Sequence, residues 1–295
     1  MLKFNPNTIT SQRLHQIMLG SIAPRPIAFA STIDKDGNVN LSPFSFFNAF
    51  GVNPTTLIFS PSRRGRDNTN KHTYENIKEV PEVVINIVNY DMIEQVSLAS
   101  TEYPRSVNEF VKSGFTPIAS EMIRPPRVAE SPVQYECKVR QVIETGEGGG
   151  AANLVICEIL LVHVNEDVLD STGNIDPQKI RLVGRMGGDY YIEAFGPGLF
   201  KVAKPLAKMG IGIDQLPVFI RDSHHFSGND LGKLGNLEHF PGDQDLAQTR
   251  QTETWLDLQK NFGDSRERLS AERQVLAKDL LAQGHAWEAF CLLLA

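Results

Sequence analysis

The chain has 295 residues, a formal net charge of −6, 41% hydrophobic and 22% charged residues, the profile of a globular protein with one large domain or a domain plus an extension. No long basic tract is present, which sets nucleic acid aside as a partner, and no apolar run is long enough to span a bilayer. The three cysteines, Cys137, Cys157 and Cys291, show no Cys-x-x-Cys spacing and form neither a disulfide framework nor a zinc knuckle; with no signal-peptide pattern at the N-terminus, a cytoplasmic, reducing setting is expected.

Ser11 to Leu19 reads as a short helix ending at Gly20. Pro24 and Pro26 bias the residues before them away from helix and set up an extended entry. Ile27 to Ile33 is expected as a strand and Asn38 to Ser42 as its partner, joined by Asp34-Lys35-Asp36-Gly37, whose Asp-Gly pair suits a hairpin turn. Asn53-Pro54 marks another turn and Thr56 to Ser60 another strand. A helix is predicted over His72 to Val80, with Thr73 as N-cap and Pro81 just past the end. Val83 to Val88 is short and β-branched, hence a strand. Two helices follow, over Asp91 to Glu102 and Ser106 to Lys112, the second stopped by Gly114.

Val133 to Arg140 alternates apolar and polar residues at every step, the mark of a half-buried antiparallel strand. Asn153 to Val164 is a longer strand. Together these segments suggest a mainly β, antiparallel barrel with interspersed helices, over residues 1–200. From about Phe200 the character changes. Lys204 to Asn236 mixes Gly, Asp and short apolar pieces, and Gln244 to Gly263 and Ser265 to Leu294 read as two helices. Residues 201–295 are therefore expected as a mostly helical extension. Leu276, Leu280, Leu281, Trp287, Phe290 and Leu294 can form an apolar stripe, taken as a docking surface against the barrel or a second subunit.

Several candidate motifs lack the context their chemistry needs. Gly146 to Ala151 fits G-x-G-x-x-A, but strand formers follow it where a dinucleotide site needs a helix N-terminus; a hairpin loop accounts for it better. The histidines make no metal pattern, and no nucleophile elbow is present. His163, on a strand, is expected as a hydrogen-bonded structural residue.

The stretch Ser21 to Ile77 is richer. Ser60, Ser62, the Arg63 to Arg66 cluster, Lys71 and Thr73 put hydroxyls and cations into one strand-to-helix connection. A helix beginning there offers free N–H groups and a positive dipole end to an anion. A solvated loop with an ordinary helix cap fits the same residues. At Ser45-Phe46-Phe47-Asn48, backbone amides and an aromatic could grip a flat ring; a buried aromatic pair closing the barrel fits equally.

Ser-x-x-Pro-Arg-Pro-Ile-Ala at Ser21 to Ala28, Ser-Thr-x-Asp-x-x-Gly-x-x-Asn at Ser31 to Asn40, Ser-Pro-Phe-Ser-Phe-Phe-Asn at Ser42 to Asn48 and the Lys-x-Thr-x-x-Asn-Ile run at Lys71 to Ile77 together resemble the flavin reductase-like family of FMN-binding split-barrel proteins, over about residues 10–200. The resemblance implies a Greek-key split β-barrel that dimerises with FMN near the subunit interface. It implies that Ser42, Ser45, Phe46, Phe47 and Asn48 line the flavin ring, that Ser60, Ser62, Lys71 and Thr73 hold the phosphate, and that Arg25 and Pro26 lie beside the flavin. Gly184 to Tyr191 resembles the family's closing strand. His72 stands where the family often has an acidic residue, and the loop Arg63 to Asn70 is lengthened. The function implied is an FMN-dependent oxidoreductase drawing on NADH or NADPH, with no catalytic side chain required. The alternatives are a flavoredoxin-like FMN electron-transfer protein without NAD(P)H activity, and a cofactor-free binding protein.

Overall fold

A computed structural model describes residues 1–202 and 208–295. The start of the segment read over Lys204 to Asn236 lies outside the described residues. The chain divides into two compact units, Met1–Phe200 and Lys201–Ala295.

The first unit opens with α1 (Ser11–Ser21), N-capped by the Thr10 hydroxyl, which accepts from the Arg13 N–H. Its strands are β1 (Ala28–Ile33), β2 (Val39–Phe44), β3 (Phe47–Val52), β4 (Thr55–Phe59), β5 (Glu82–Ile87), β6 (Pro117–Ile118), β7 (Arg127–Val128), β8 (Val133–Glu144), β9 (Asn153–Val164), β10 (Val183–Arg185) and β11 (Tyr191–Glu193). Its remaining helices are α2 (His72–Glu79), α3 (Ile93–Ala99), α4 (Glu109–Ser113) and α5 (Pro177–Ile180). Seven strands form one sheet in the order β2-β1-β5-β8-β9-β4-β3, with antiparallel pairing throughout.

The edges of this sheet, β2 and β3, are consecutive in the chain, and only Ser45 and Phe46 separate them. Such a short link cannot cross a flat seven-stranded sheet at strand spacing, so the sheet must curl until its edges meet. The apolar interior reflects that closure. Ala28 and Ala30 of β1, Phe44 of β2, Phe59 of β4, Ile85 of β5, Val139 of β8 and Val155 of β9 share one buried cluster. Phe44 and Phe59 bring their rings to 5.5 Å across the gap. Cys137 and Cys157 belong to the same cluster, and burial pushes both thiols well above their ordinary value. Outside the barrel, Phe29 and Leu41 pack with Val96 of α3 and Phe110 of α4 in a second core.

The β8 alternation behaves differently from its sequence reading. Gln134 and Glu136 are polar yet buried, because the segment from Thr116 to Ser131 folds over this outer face. Gln134 donates to the Val128 and Ser131 carbonyls at 2.9 Å. Glu136 accepts the backbone N–H groups of Glu121 (2.9 Å) and Met122 (2.7 Å) and pairs with His163 Nε2 at 2.8 Å, the structural role expected for that histidine. Burial alone would raise the Glu136 carboxyl, but these donors hold it below its usual value. The Gly146 to Ala151 run is the β8–β9 hairpin loop, and a side chain at Gly149 would sit 3.1 Å from the Gly65 carbonyl.

The second unit contains α6 (Val218–Arg221), α7 (Gly228–Gly235), α8 (Asp243–Thr249), α9 (Glu253–Phe262), α10 (Arg266–Ala282) and α11 (Ala286–Leu294). The two long helices expected here are four. Thr252 caps a new start by accepting from the Trp255 N–H, and Gly284, at φ +89°, turns the chain between α10 and α11. The expected docking stripe is instead internal: Leu280, Leu281, Phe290 and Leu294 pack with Leu234 of α7, and Leu276 with Trp255 of α9.

Replacing Glu136 with Ala leaves two backbone N–H groups without their acceptor and should cost about 2–3 kcal/mol in denaturant unfolding. A depressed folded pKa means this contribution is complete above the ordinary carboxylate value of 4.5 and is lost as pH falls through the folded value. The stability gap between wild type and Glu136→Gln should therefore close on acidification; a gap constant with pH would contradict the assignment.

Candidate functional site

The strand-to-helix connection after β4 ends at α2, whose N-cap is Lys71 rather than the expected Thr73. Lys71 is extended, at φ −83° and ψ 151°, and offers no side-chain cap. Its carbonyl accepts from the Tyr74 and Glu75 N–H groups at 3.0 and 3.2 Å. The N–H groups of His72 and Thr73 have no hydrogen-bond acceptor among the described residues, so the positive end of the helix is open. Thr73 is buried, and its hydroxyl accepts from Asn40 Nδ2 at 2.9 Å. That bond leaves the hydroxyl proton available to donate.

Ser42, Arg64, Lys71, His72 and Thr73 line one small polar cavity together with Asn40, Glu109 and Ser100 to Tyr103. Lys71 is half-buried, and no carboxylate lies within ion-pair distance of it among the described residues; its ammonium lies 5.5 Å from the centre of the Phe44 ring. Burial, and then the neighbouring Arg64, lower its pKa. Burial likewise lowers His72, which favours the neutral imidazole. Arg64 points its guanidinium to Glu102 Oε1 at 3.1 Å, Thr69 Oγ1 at 3.0 Å and the Asn70 carbonyl. Arg63 and Arg66 are occupied elsewhere, by Asn68 and Asn70 and by Asp67 and Glu102 respectively. Of the basic cluster, Arg64 is the member that lines the cavity.

Ser60 and Ser62 do not line it. Their hydroxyls pair with each other at 3.1 Å, and Ser60 accepts the Asn153 N–H at 3.2 Å, which fixes the start of β9. The cavity instead gains Ser100 to Tyr103, which follow α3. The helix expected over Asp91 to Glu102 would take in part of this run, and no motif marks it. The helix stops at Ala99, where Ser100 bonds back to Ser97.

Around the link between β2 and β3, Arg25 is the organiser. It is 6% exposed, and its guanidinium donates to the carbonyls of Leu19 (2.8 Å), Ile22 (2.7 Å) and Met186 (2.8 Å), and to Ser45 Oγ at 3.4 Å. One side chain thus ties α1, the loop after β10 and the link between the sheet edges. Burial and the nearby Arg185 lower its pKa. Pro26 is exposed beside it. Phe46 is 40% exposed, Phe47 packs against the barrel core, and Asn48 is exposed with its side-chain oxygen accepting from the Ala49 N–H.

A larger cavity, of about 530 Å³, lies between α3 and the β10–β11 hairpin, lined by Tyr90, Ile93, Glu94, Ser97, Arg185, Asp189 and Tyr191 among others. It adjoins the surroundings of Arg25 through backbone: Arg25 and Arg185 exchange N–H···O bonds of 3.0 and 2.9 Å. Among the described residues no group of His, Cys, Asp and Glu side chains could hold a metal ion, and no helix is long and apolar enough to cross a membrane.

The family model for the flavin reductase like domain matches residues 19–180. The chain belongs to this family. An uncharacterised protein of Aquifex aeolicus is 39% identical over 189 residues, covering 64% of this chain and 94% of its own length. Among solved structures, nitrilotriacetate monooxygenase component B from Bacillus cereus superposes with a TM-score of 0.64 at 29% identity, covering 68% of this chain and 98% of that one. A candidate flavin reductase with a split-barrel domain from Shewanella frigidimarina gives 0.58 at 27%, covering 69% and 100%. The curled sheet is therefore the split barrel of this family.

Lys71 should titrate below the ordinary lysine value of 10.5 in the free protein, read by NMR of the isotopically methylated amine. Arg64→Gln removes the neighbouring positive charge and should move Lys71 upward. A Lys71 that titrates at or above the ordinary value would contradict the geometry.

Proposed function

We propose that the chain is an FMN-binding oxidoreductase that draws reducing equivalents from NADH or NADPH. The observation that carries this reading is the polar cavity at the start of α2, where a half-buried lysine without a carboxylate partner among the described residues meets open N–H groups in a member of a flavin reductase-like family. These donors fit a phosphate monoester: Lys71 supplies charge, Thr73 a hydroxyl proton, the His72 and Thr73 amides two further N–H groups, and Arg64 a second cation. Ser42, on β2 and lining this cavity, would link this end to the ring-binding end.

In this reading Ser45, Phe46, Phe47 and Asn48 hold the ring edge, and Arg25 acts mainly by fixing the backbone around Ser45, since most of its N–H groups are already engaged. Pro26 provides an exposed wall. Ser60 and Ser62 would serve the phosphate through the loop they anchor. Bound flavin would supply hydride acceptance and onward electron transfer. The chain's own residues bind and orient, and none is assigned as acid or base. The cavity beside Arg185 offers room for the second substrate, within the usual volume range of small-molecule sites.

A homodimer and a cytoplasmic setting complete the proposal. The dimer is supported by the β3 edge next to the ring-binding residues, where Phe50 is 64% and Val52 91% exposed; light scattering on the purified protein tests it.

The visible absorbance spectrum of the purified protein, with and without added FMN, is the primary test, followed by titration with NADH and NADPH. A flavin spectrum bleached by either nucleotide is expected. A flavin-loaded protein that oxidises neither nucleotide in steady state would be an electron carrier instead, and a colourless protein that takes up no FMN would overturn the flavin reading. Lys71→Met should weaken FMN binding about 10- to 100-fold, the worth of a charge-assisted hydrogen bond, and Thr73→Ala should weaken it too. Unchanged affinity in both variants would refute the phosphate assignment. Wild-type affinity should begin to fall as pH rises past the depressed free-state pKa of Lys71.

A further inference from the structure

The wall of the polar cavity formed by Ser100 to Tyr103 belongs to the connection between α3 and α4, which has no regular structure of its own. Two ion-pair groups hold it. On one side Glu102 spans two arginines of the lengthened loop, Arg64 at 3.1 Å and Arg66 at 2.9 Å. On the other, Arg105 reaches across to α2 and to the β1–β2 turn. Its guanidinium donates to Glu75 Oε2 at 2.6 Å and to Asn76 Oδ1 at 3.2 Å, with Asp34 and Glu79 at 3.7 and 3.8 Å.

The two partners of Arg105 differ in kind. Glu75 is half-exposed, and a pair of that sort contributes little by itself. Asn76 is buried, and its side-chain N–H donates to Thr32 Oγ1 at 3.2 Å. Thr32 also accepts from Asn40, the residue that bonds Thr73. Asp34 is itself fixed, accepting from the backbone N–H groups of Asp36 and Asn38 and from the Asn38 side chain. Arg105 thus grips positions that the sheet already holds rigid, and transmits that rigidity to a cavity wall that has no strand or helix to support it.

We propose that Arg105 is a positioning residue for the phosphate end of the flavin site. It acts through the Ser100 to Tyr103 wall and through the orientation of α2, without itself touching the ligand. Its planar fork matters, because two separate nitrogens serve Glu75 and Asn76 in a fixed geometry, whereas a lysine offers a single nitrogen on a flexible stem. This inference rests on the proposed flavin function, and riboflavin separates the two, since it has the ring system of FMN but no phosphate.

The experiment measures Kd for FMN and for riboflavin by flavin fluorescence quenching, in wild type, Arg105→Ala, Arg105→Lys, Glu75→Gln and the double variant Arg105→Ala/Glu75→Gln, with thermal melting of each variant. Arg105→Ala should lose about three- to tenfold in FMN affinity, the scale of a misplaced wall rather than of a lost contact, while riboflavin affinity stays unchanged. Arg105→Lys should recover part of the loss. Glu75→Gln should show a smaller loss of the same selectivity, non-additive with Arg105→Ala. Equal losses for FMN and riboflavin, or no loss for either, would overturn the role of Arg105 while leaving the flavin function intact. A wild type that binds FMN no more tightly than riboflavin would remove the phosphate site and this inference with it.

Discussion

The two-residue link between β2 and β3 sets the architecture of the first unit. These strands are the two edges of a seven-stranded sheet, and Ser45 and Phe46 leave them no freedom to stand apart. The sheet curls, its apolar faces turn inward, and the Phe44 and Phe59 rings meet across the interior. The same link places Ser45 where the buried Arg25 guanidinium can reach it. A single connectivity constraint thus produces both the hydrophobic core and the polar rim at its mouth.

From that rim the site is built by hydrogen bonds between sheet and helix more than by any one charged contact. Asn40 on β2 fixes Thr73 on α2, and Asn76 on the same helix fixes Thr32 on β1. The helix is therefore held at a defined height above the strands, with its first amides facing the cavity that Ser42 and Lys71 share. The acids near Lys71 are engaged elsewhere: Glu102 by Arg64 and Arg66, and Glu109 by the Leu41 N–H. Burial raises the Glu109 carboxyl above its usual value.

Much of this was legible in the chain. The Asp34 to Gly37 turn, the β-branched run of β5 and the paired long strands β8 and β9 follow from period and turn chemistry. The family resemblance rested on motifs from Ser21 to Ile77, and the flavin reductase like domain covers that stretch. What could not be read depends on tertiary contact. Gln134 and Glu136 look like solvent-facing residues until a distant segment lays its amides across them. Thr73 has the composition of an N-cap, yet Asn40 claims its hydroxyl and Lys71 takes the cap position. Ser100 to Tyr103 carry no motif, because their part in the cavity comes from where the loop is tied down. The stripe on α10 and α11 was visible as periodicity, but periodicity does not say which surface covers it.

The two thiols inside the barrel bear on the durability of such a protein. Oxidants attack the thiolate, not the thiol. With Cys137 and Cys157 enclosed by β-branched and aromatic neighbours and held protonated, neither is an accessible nucleophile. The strands that shape the fold are in this way kept out of thiol oxidation chemistry.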